Sequence, residues 1–220
     1  MSESASGVLI AERLRDIRDG IAEHTSRDVV VVAVTKSQPS SVIDDAVAAG
    51  VAVIGENYAQ EVRDKADVLQ RARAHGVEVH FIGQLQTNKV RMVVPLVDVV
   101  QSVDRSSLIA ELARRAPGMR VFIQVDTSGG LGRGGCEPDA VSMLVDEARA
   151  AGLVVEGLMT VGPVGGDRVA LRRAFATVRD LADSLGLSVR SMGMSDDHLI
   201  AVEEGSTMVR IGTALVGPRS

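Results

Sequence analysis

Eight short apolar runs punctuate the chain, and each leads into a stretch whose apolar residues recur at helical spacing. The runs are 29–35 (VVVVAVT), 51–55 (VAVIG), 79–83 (VHFIG), 97–101 (VDVVQ), 120–126 (RVFIQVD), 154–160 (VVEGLMT), 188–193 (SVRSMG) and 207–212 (TMVRIG). Short, rich in β-branched residues and bounded by turn residues, they read as strands. The helical pattern predicts helices over about 40–49, 57–74, 87–94, 104–116, 137–151, 167–186 and 196–204. Several open on capping chemistry: Asn57 with Gln60 three residues on, Asp104 ahead of RSSLIAELARR, and Ser195 ahead of DDHLIAVEEG.

Strands alternating with helices imply a parallel sheet with right-handed crossovers, and near-continuous apolar strands imply burial on both faces. Eight such units close naturally into a (β/α)8 TIM-type barrel of the α/β class. After the eighth strand only TALVGPRS remains, so one wall helix is wanting. The segment GVLIAERLRDIRDGIAEH, with apolar Ile10, Leu14, Ile17 and Ile21 on one stripe, is an extra N-terminal helix that can fill the place. An open doubly wound sheet uses the same alternation but rarely needs eight consecutive short units. The expectation is one domain over 1–220, with residues 1–7 disordered.

Composition narrows the partners. With 220 residues and 45% hydrophobic content the chain can bury one sizeable core. A net charge of -5 argues against nucleic acid or an anionic membrane as the main partner, since phosphate surfaces are bound by clustered positive charge. A single cysteine, Cys136, excludes an intrachain disulfide and fits a reducing cytosol. No signal-peptide pattern and no membrane-length apolar run is present, so a soluble, cytoplasmic protein with a small-molecule partner is expected.

Only three of the 24 basic residues are lysines, Lys36, Lys65 and Lys89, and lysine alone among them can act as an amine nucleophile. Lys65 lies four residues after Glu61 and reads as an exposed helical ion pair. Lys89 opens a helix and reads as rim or surface. Lys36 follows the first strand, where the loops of a (β/α)8 barrel form the functional face. It is either a lysine reaching from the mouth to water or an amine that desolvation keeps neutral for condensation with a carbonyl.

Two further features weigh on that choice. Ser195 starts a predicted helix, and Gly212 with Thr213 follows the eighth strand. Both lie after strands seven and eight, the usual phosphate position in this fold. Arg210 interrupts the eighth strand on the side of Met208 and Gly212, so a lumen-facing position buries a guanidinium that needs a ligand or partner. An amine, an anion cradle and an internal cation together suggest pyridoxal phosphate.

The blocks AVTKSQP, GENYAQE, HFIGQLQTNK, GLMTVGP and SMGMSDDHLIAVEEGSTMVRIGT, running in order from about residue 31 to 217, resemble the pyridoxal phosphate homeostasis protein family. That family consists of single-domain barrels similar to the N-terminal domain of alanine racemase. The resemblance implies that Lys36 carries pyridoxal 5'-phosphate as a Schiff base and that Arg210 faces the pyridine nitrogen. Ser195, Gly212 and Thr213, with the backbone near Met194, would hold the phosphate, and Asn57 and His80 would lie near the ring. It also implies a role in vitamin B6 homeostasis without a dedicated turnover reaction. The pattern departs around QVDTSGGLGRGG, where the chain has Asp126, Gly130 and Arg133; five glycines in 126–135 suggest a mobile lid over the mouth.

Enzymatic readings stay open. A racemase needs a second acid or base opposite the lysine, and the only tyrosine is Tyr58. Tyr58 reads as a packing or ring-side residue, which favours binding over catalysis. The alternatives are a low-activity amino-acid racemase or other pyridoxal phosphate enzyme, and a Schiff-base aldolase acting on sugar phosphates. Partners expected are the cofactor and its recipient apoenzymes, with the chain a monomer. His24, His75 and His198 read as surface residues, no metal-ligand spacing occurs, and Cys136 reads as incidental, though an exposed thiol there would be open to oxidation. Asp196 and Asp197 suit a first helical turn.

Overall fold

The computed structural model describes residues 4–129, 134–163 and 165–218. Its strands are β1 (Val30–Val34), β2 (Val53–Glu56), β3 (Glu78–Phe81), β4 (Val99–Val103), β5 (Arg120–Gln124), β6 (Val154–Met159), β7 (Val189–Met194) and β8 (Met208–Ile211). Each pairs in parallel with its sequence neighbour, and β8 closes on β1 with Val32 beside Arg210. The expected (β/α)8 barrel is the observed fold.

Successive side chains on a strand face opposite ways, so each strand feeds two cores. Val31, Ala33, Ile54, Val79, Val121 and Ile123 belong to the large core between barrel and helices. Val32, Val53, Val99, Phe122, Met159 and Met208 form a second cluster that fills the lumen. The barrel interior is therefore packed rather than open.

The wall consists of α1 (Ala5–His24), α2 (Ser41–Ala48), α3 (Ala59–Asp64), α4 (Ala66–Ala74), α5 (Val90–Val93), α6 (Ser106–Arg115), α7 (Val141–Ala150), α8 (Arg168–Ser184), α9 (His198–Glu203) and the single turn α10 (Thr213–Val216). Helix α1 touches α2 on one side and α9 and α10 on the other. It thus takes the place that a helix after β8 would fill. Within the stretch expected to be disordered, Ser4 Oγ accepts from the Gly7 N–H at 2.9 Å and caps α1.

Three expected helix starts are displaced. The single helix predicted over 57–74 breaks at Lys65 (φ -97°, ψ 11°), and Tyr58 rather than Asn57 precedes α3, without a side-chain cap. Asp104 pairs with Arg105 and accepts from the Gly135 N–H at 3.3 Å instead of capping α6. Asp197, not Ser195, stands at the start of α9, where its Oδ1 accepts from the Met194 N–H at 2.6 Å.

Strand spacing depends on one glycine in β6. A Cβ added at Gly157 would stand 2.3 Å from the Val189 carbonyl oxygen on β7. Gly157→Ala is therefore expected to destabilise the barrel by about 1–3 kcal/mol, lowering the calorimetric midpoint by several degrees. An unchanged midpoint would contradict the close β6–β7 approach.

Candidate functional site

The seam between β7, β8, β1 and β2 gathers most of the residues singled out in the sequence. Met194 pairs with Arg210 across β7 and β8, and Lys36 lies two residues beyond the end of β1. An added Cβ at Gly212 would meet Val34 at 3.8 Å, an ordinary contact, so packing does not require glycine there. Glycine instead leaves the backbone bare beside β1, next to the first turn of α10, whose leading N–H groups have no intrahelical partner. Ser195 and Gly212 are half-buried, and Thr213 is exposed.

Asn57 follows β2 and is half-buried. Its backbone lies so close to Gly83 that a Cβ added there would sit 2.0 Å from the Asn57 carbonyl oxygen. The glycine that ends HFIG is thus what lets the GENY loop settle against β3.

Arg210 is 4% exposed. One terminal nitrogen donates to the Ser191 carbonyl at 2.7 Å and to Ser191 Oγ at 2.8 Å, and the other donates to the Thr160 carbonyl at 2.6 Å. No carboxylate among the described residues forms a salt bridge with it. Burial pushes the guanidinium down to about 10, opposed by the Asp197 charge, so it remains charged at neutral pH.

A line of polar side chains leads away from Arg210 through the lumen. Ser191 Oγ donates to Gln101 Oε1 at 2.7 Å, Gln101 Nε2 contacts His80 Nδ1 at 2.7 Å, and His80 Nε2 contacts Glu78 Oε2 at 2.9 Å. Arginine can only donate and a carboxylate only accept. The groups between are therefore oriented one way: Nδ1 of His80 accepts from the Gln101 amide, and its Nε2 carries the hydrogen given to Glu78. His80 is fully buried, with Phe122 edge-on at a centroid distance of 6.1 Å. It supports Arg210 through Gln101 and Ser191, with both ring nitrogens engaged by protein groups.

Gln101 and Ser191 were missed in the sequence, although each is a polar residue inside a predicted strand. Glu78 ends the line and also accepts from Arg120 at 2.8 Å, while Arg120 binds Glu156 at 2.6 Å.

Lys65 corrects an expectation. The Glu61 pair exists, at 3.0 Å, but Lys65 is 7% exposed rather than on the surface. Its Nζ also donates to Glu56 Oε1 at 2.8 Å and to the Thr35 carbonyl at 2.8 Å, so its three hydrogens all have acceptors. Glu56 is fully buried, and burial raises its carboxyl above the ordinary 4.5 against the pull of Lys65.

Cys136 is likewise buried, and burial pushes its thiol up to about 11, which removes the exposed thiol considered above. Its backbone exchanges hydrogen bonds of 2.8 and 2.9 Å with Asp126 and Gln124, tying together the two ends of the glycine-rich loop. Asp126 Oδ1 accepts from both the N–H and the hydroxyl of Ser128. Gly130 and Arg133, and the middle of the expected lid, lie outside the described residues.

A groove of about 930 Å³ between α1, α2 and α4 is a rival location. Arg71 pairs with Asp44 across it at 3.0 Å, and none of the candidate cofactor-binding residues lines it. Among the described residues, no group of three or more His, Cys, Asp or Glu is placed to hold a metal ion, and no helix is long and apolar enough to cross a membrane.

Residues 10–220 match the family model of the alanine racemase N-terminal domain, which defines the class of barrel. The pyridoxal phosphate homeostasis protein of Pseudomonas aeruginosa is 37% identical over 220 residues, covering 96% of this chain and 93% of the relative. The protein of that name from Escherichia coli is 36% identical, covering 96% and 97%. PipY of Synechococcus elongatus, solved with PLP bound, superposes with a TM-score of 0.82 at 33% identity, over 94% of this chain and 100% of PipY. The chain belongs to the pyridoxal phosphate homeostasis protein family.

The line of hydrogen bonds has a pH signature. His80, ahead of Arg120, holds the Glu78 carboxyl at about 2, below the ordinary 4.5. A depressed folded-state value means that the stability Glu78 contributes is complete above the unfolded value and is lost as pH falls through the folded one. Denaturant unfolding of wild type and Glu78→Gln should therefore differ most at neutral pH and converge between pH 4.5 and about 2. A difference independent of pH over that interval would contradict the assignment.

Proposed function

We propose that this chain holds pyridoxal 5'-phosphate as a Schiff base on Lys36 and releases it to apoenzymes that need it, without a dedicated turnover reaction. The observation that carries the reading is the chemistry of one arc of the mouth. The cofactor has three demanding groups: an aldehyde, a phosphate dianion and a pyridine nitrogen. The arc supplies an amine at Lys36, hydroxyls at Ser195 and Thr213 with bare backbone at Gly212, and a guanidinium at Arg210. The donor set fits the group. The PLP-bound structure of a homologue supports it further.

In this reading Lys36 condenses with the aldehyde and releases water, and hydrolysis reverses the step. The cofactor's own contribution is an aldehyde that reacts reversibly with amines, joined to a ring able to withdraw electrons. Arg210 can only donate a hydrogen bond, so a pyridine nitrogen it faces accepts in its unprotonated form, which makes the ring a weaker electron sink. Ser195, Thr213 and the N–H groups at the start of α10 bind phosphate, with the backbone near Met194 beside them and Asn57 flanking the ring. Tyr58 is 51% exposed, a poor setting for a base poised opposite Lys36. The large exposed apolar residues, such as Leu9, Met143 and Val169, are scattered over different elements, which supports a monomer, and the single reduced thiol suits the cytoplasm.

The shared alanine racemase fold favours weak racemisation as the second reading. Added pyridoxal phosphate should give an imine absorption band in wild type that borohydride removes, and Lys36→Ala should show none. Absence of the band in wild type would overturn the proposal and favour an aldolase-type lysine. Rapid exchange of amino-acid α-protons in deuterated water, abolished in Lys36→Ala, would establish an enzyme instead of a carrier.

A further inference from the structure

The turn that presents Lys36 is held from both sides. Among the described residues, Ser37 is the only residue other than glycine with positive φ, at 56°. A left-handed serine persists only where its surroundings impose it. Its N–H donates to Glu61 Oε2 at 2.8 Å. On the other side of Lys36, the Thr35 carbonyl accepts from Lys65 Nζ at 2.8 Å, and Thr35 Oγ1 donates to Glu56 Oε1 at 2.6 Å. Lys65 Nζ bridges buried Glu56 and partly exposed Glu61, so one ion cluster grips the backbone before and after Lys36.

We infer that Glu61, fixed by Lys65, which Glu56 in turn holds, is a positioning residue for Lys36: it locks Ser37 in the left-handed conformation and so aims the Lys36 amine into the mouth. The break between α3 and α4 is explained by the same requirement. Lys65 leaves the helical course there, with ψ at 11°, and its amine reaches the carbonyl of Thr35. The inference also explains why two lysines so near each other differ in role. Every hydrogen of Lys65 is committed to an oxygen, so its amine is engaged within the protein rather than presented at the mouth.

The inference rests on the Schiff-base reading of Lys36, and the test separates the two. Condensation of the amine with the aldehyde forms the C=N bond and expels the oxygen as water, so it depends on where Lys36 Nζ is held. Pyridoxine 5'-phosphate has the same ring and phosphate but no aldehyde, and its binding does not depend on the amine's position. Glu61→Ala should weaken pyridoxal phosphate binding at least about tenfold, as expected for losing a hydrogen bond to a charged acceptor. It should leave pyridoxine 5'-phosphate affinity within about twofold of wild type, by the same arithmetic. Glu61→Gln, which keeps an acceptor oxygen for the Ser37 N–H, should recover most of the loss. Ser37→Gly on the Glu61→Ala background should also recover imine formation, because glycine adopts positive φ without strain. Equal losses for both ligands, or no loss for pyridoxal phosphate, would overturn the positioning role. A wild type that forms no imine while binding pyridoxine 5'-phosphate would instead overturn the Schiff-base reading.

Discussion

A permanently charged guanidinium inside the barrel is the constraint around which the lumen is arranged. Isolated burial of such a group is prohibitive, and removing one partner of a buried charge usually costs several kcal/mol, about 3–5. Arg210 meets this with no salt bridge among the described residues, through the carbonyls of Ser191 and Thr160 and the hydroxyl of Ser191. The hydroxyl passes the demand to Gln101, then to His80, and finally to Glu78 on the far side of the apolar cluster. Each hydrogen bond in that series points from cation toward anion. The lumen thus has a polar spine in a packing of valine, phenylalanine and methionine, and the spine fixes the guanidinium without blocking the mouth.

The second cation of interest is managed in the opposite way. Lys36 follows the end of β1, and it is the backbone on either side that is pinned, by Glu61 and Lys65, while Glu56 holds Lys65 in place. One site residue is therefore fixed through its side-chain donors and the other through its main chain.

The fold was legible because eight short, near-continuous apolar runs repeat and helices intervene with their own period; those patterns follow from local geometry alone. Lys36, Ser195 and Gly212 stood out as candidates because each follows a strand, where a barrel exposes its loops, and Arg210 because it interrupts an apolar strand. The corrections come from contacts distant in sequence. Lys65 looked like a surface partner of Glu61 because spacing within a helix reports one neighbour, and nothing local shows that Thr35 and Glu56 approach from β1 and β2. The engagement of His80 with Gln101 and Glu78 was not readable locally, because it depends on barrel register. Ser195 was misread as a cap because Asp197, two residues on, competes for the same role and reaches the Met194 N–H.

The account comes down to which amine takes the aldehyde. The direct measurement is peptide mapping by mass spectrometry of wild-type protein reduced with borohydride in the presence of equimolar pyridoxal phosphate. The account predicts one reduced pyridoxyl adduct, on the peptide containing Lys36, with Lys65 and Lys89 unmodified. An adduct distributed over all three lysines, or located mainly on Lys65 or Lys89, would contradict it.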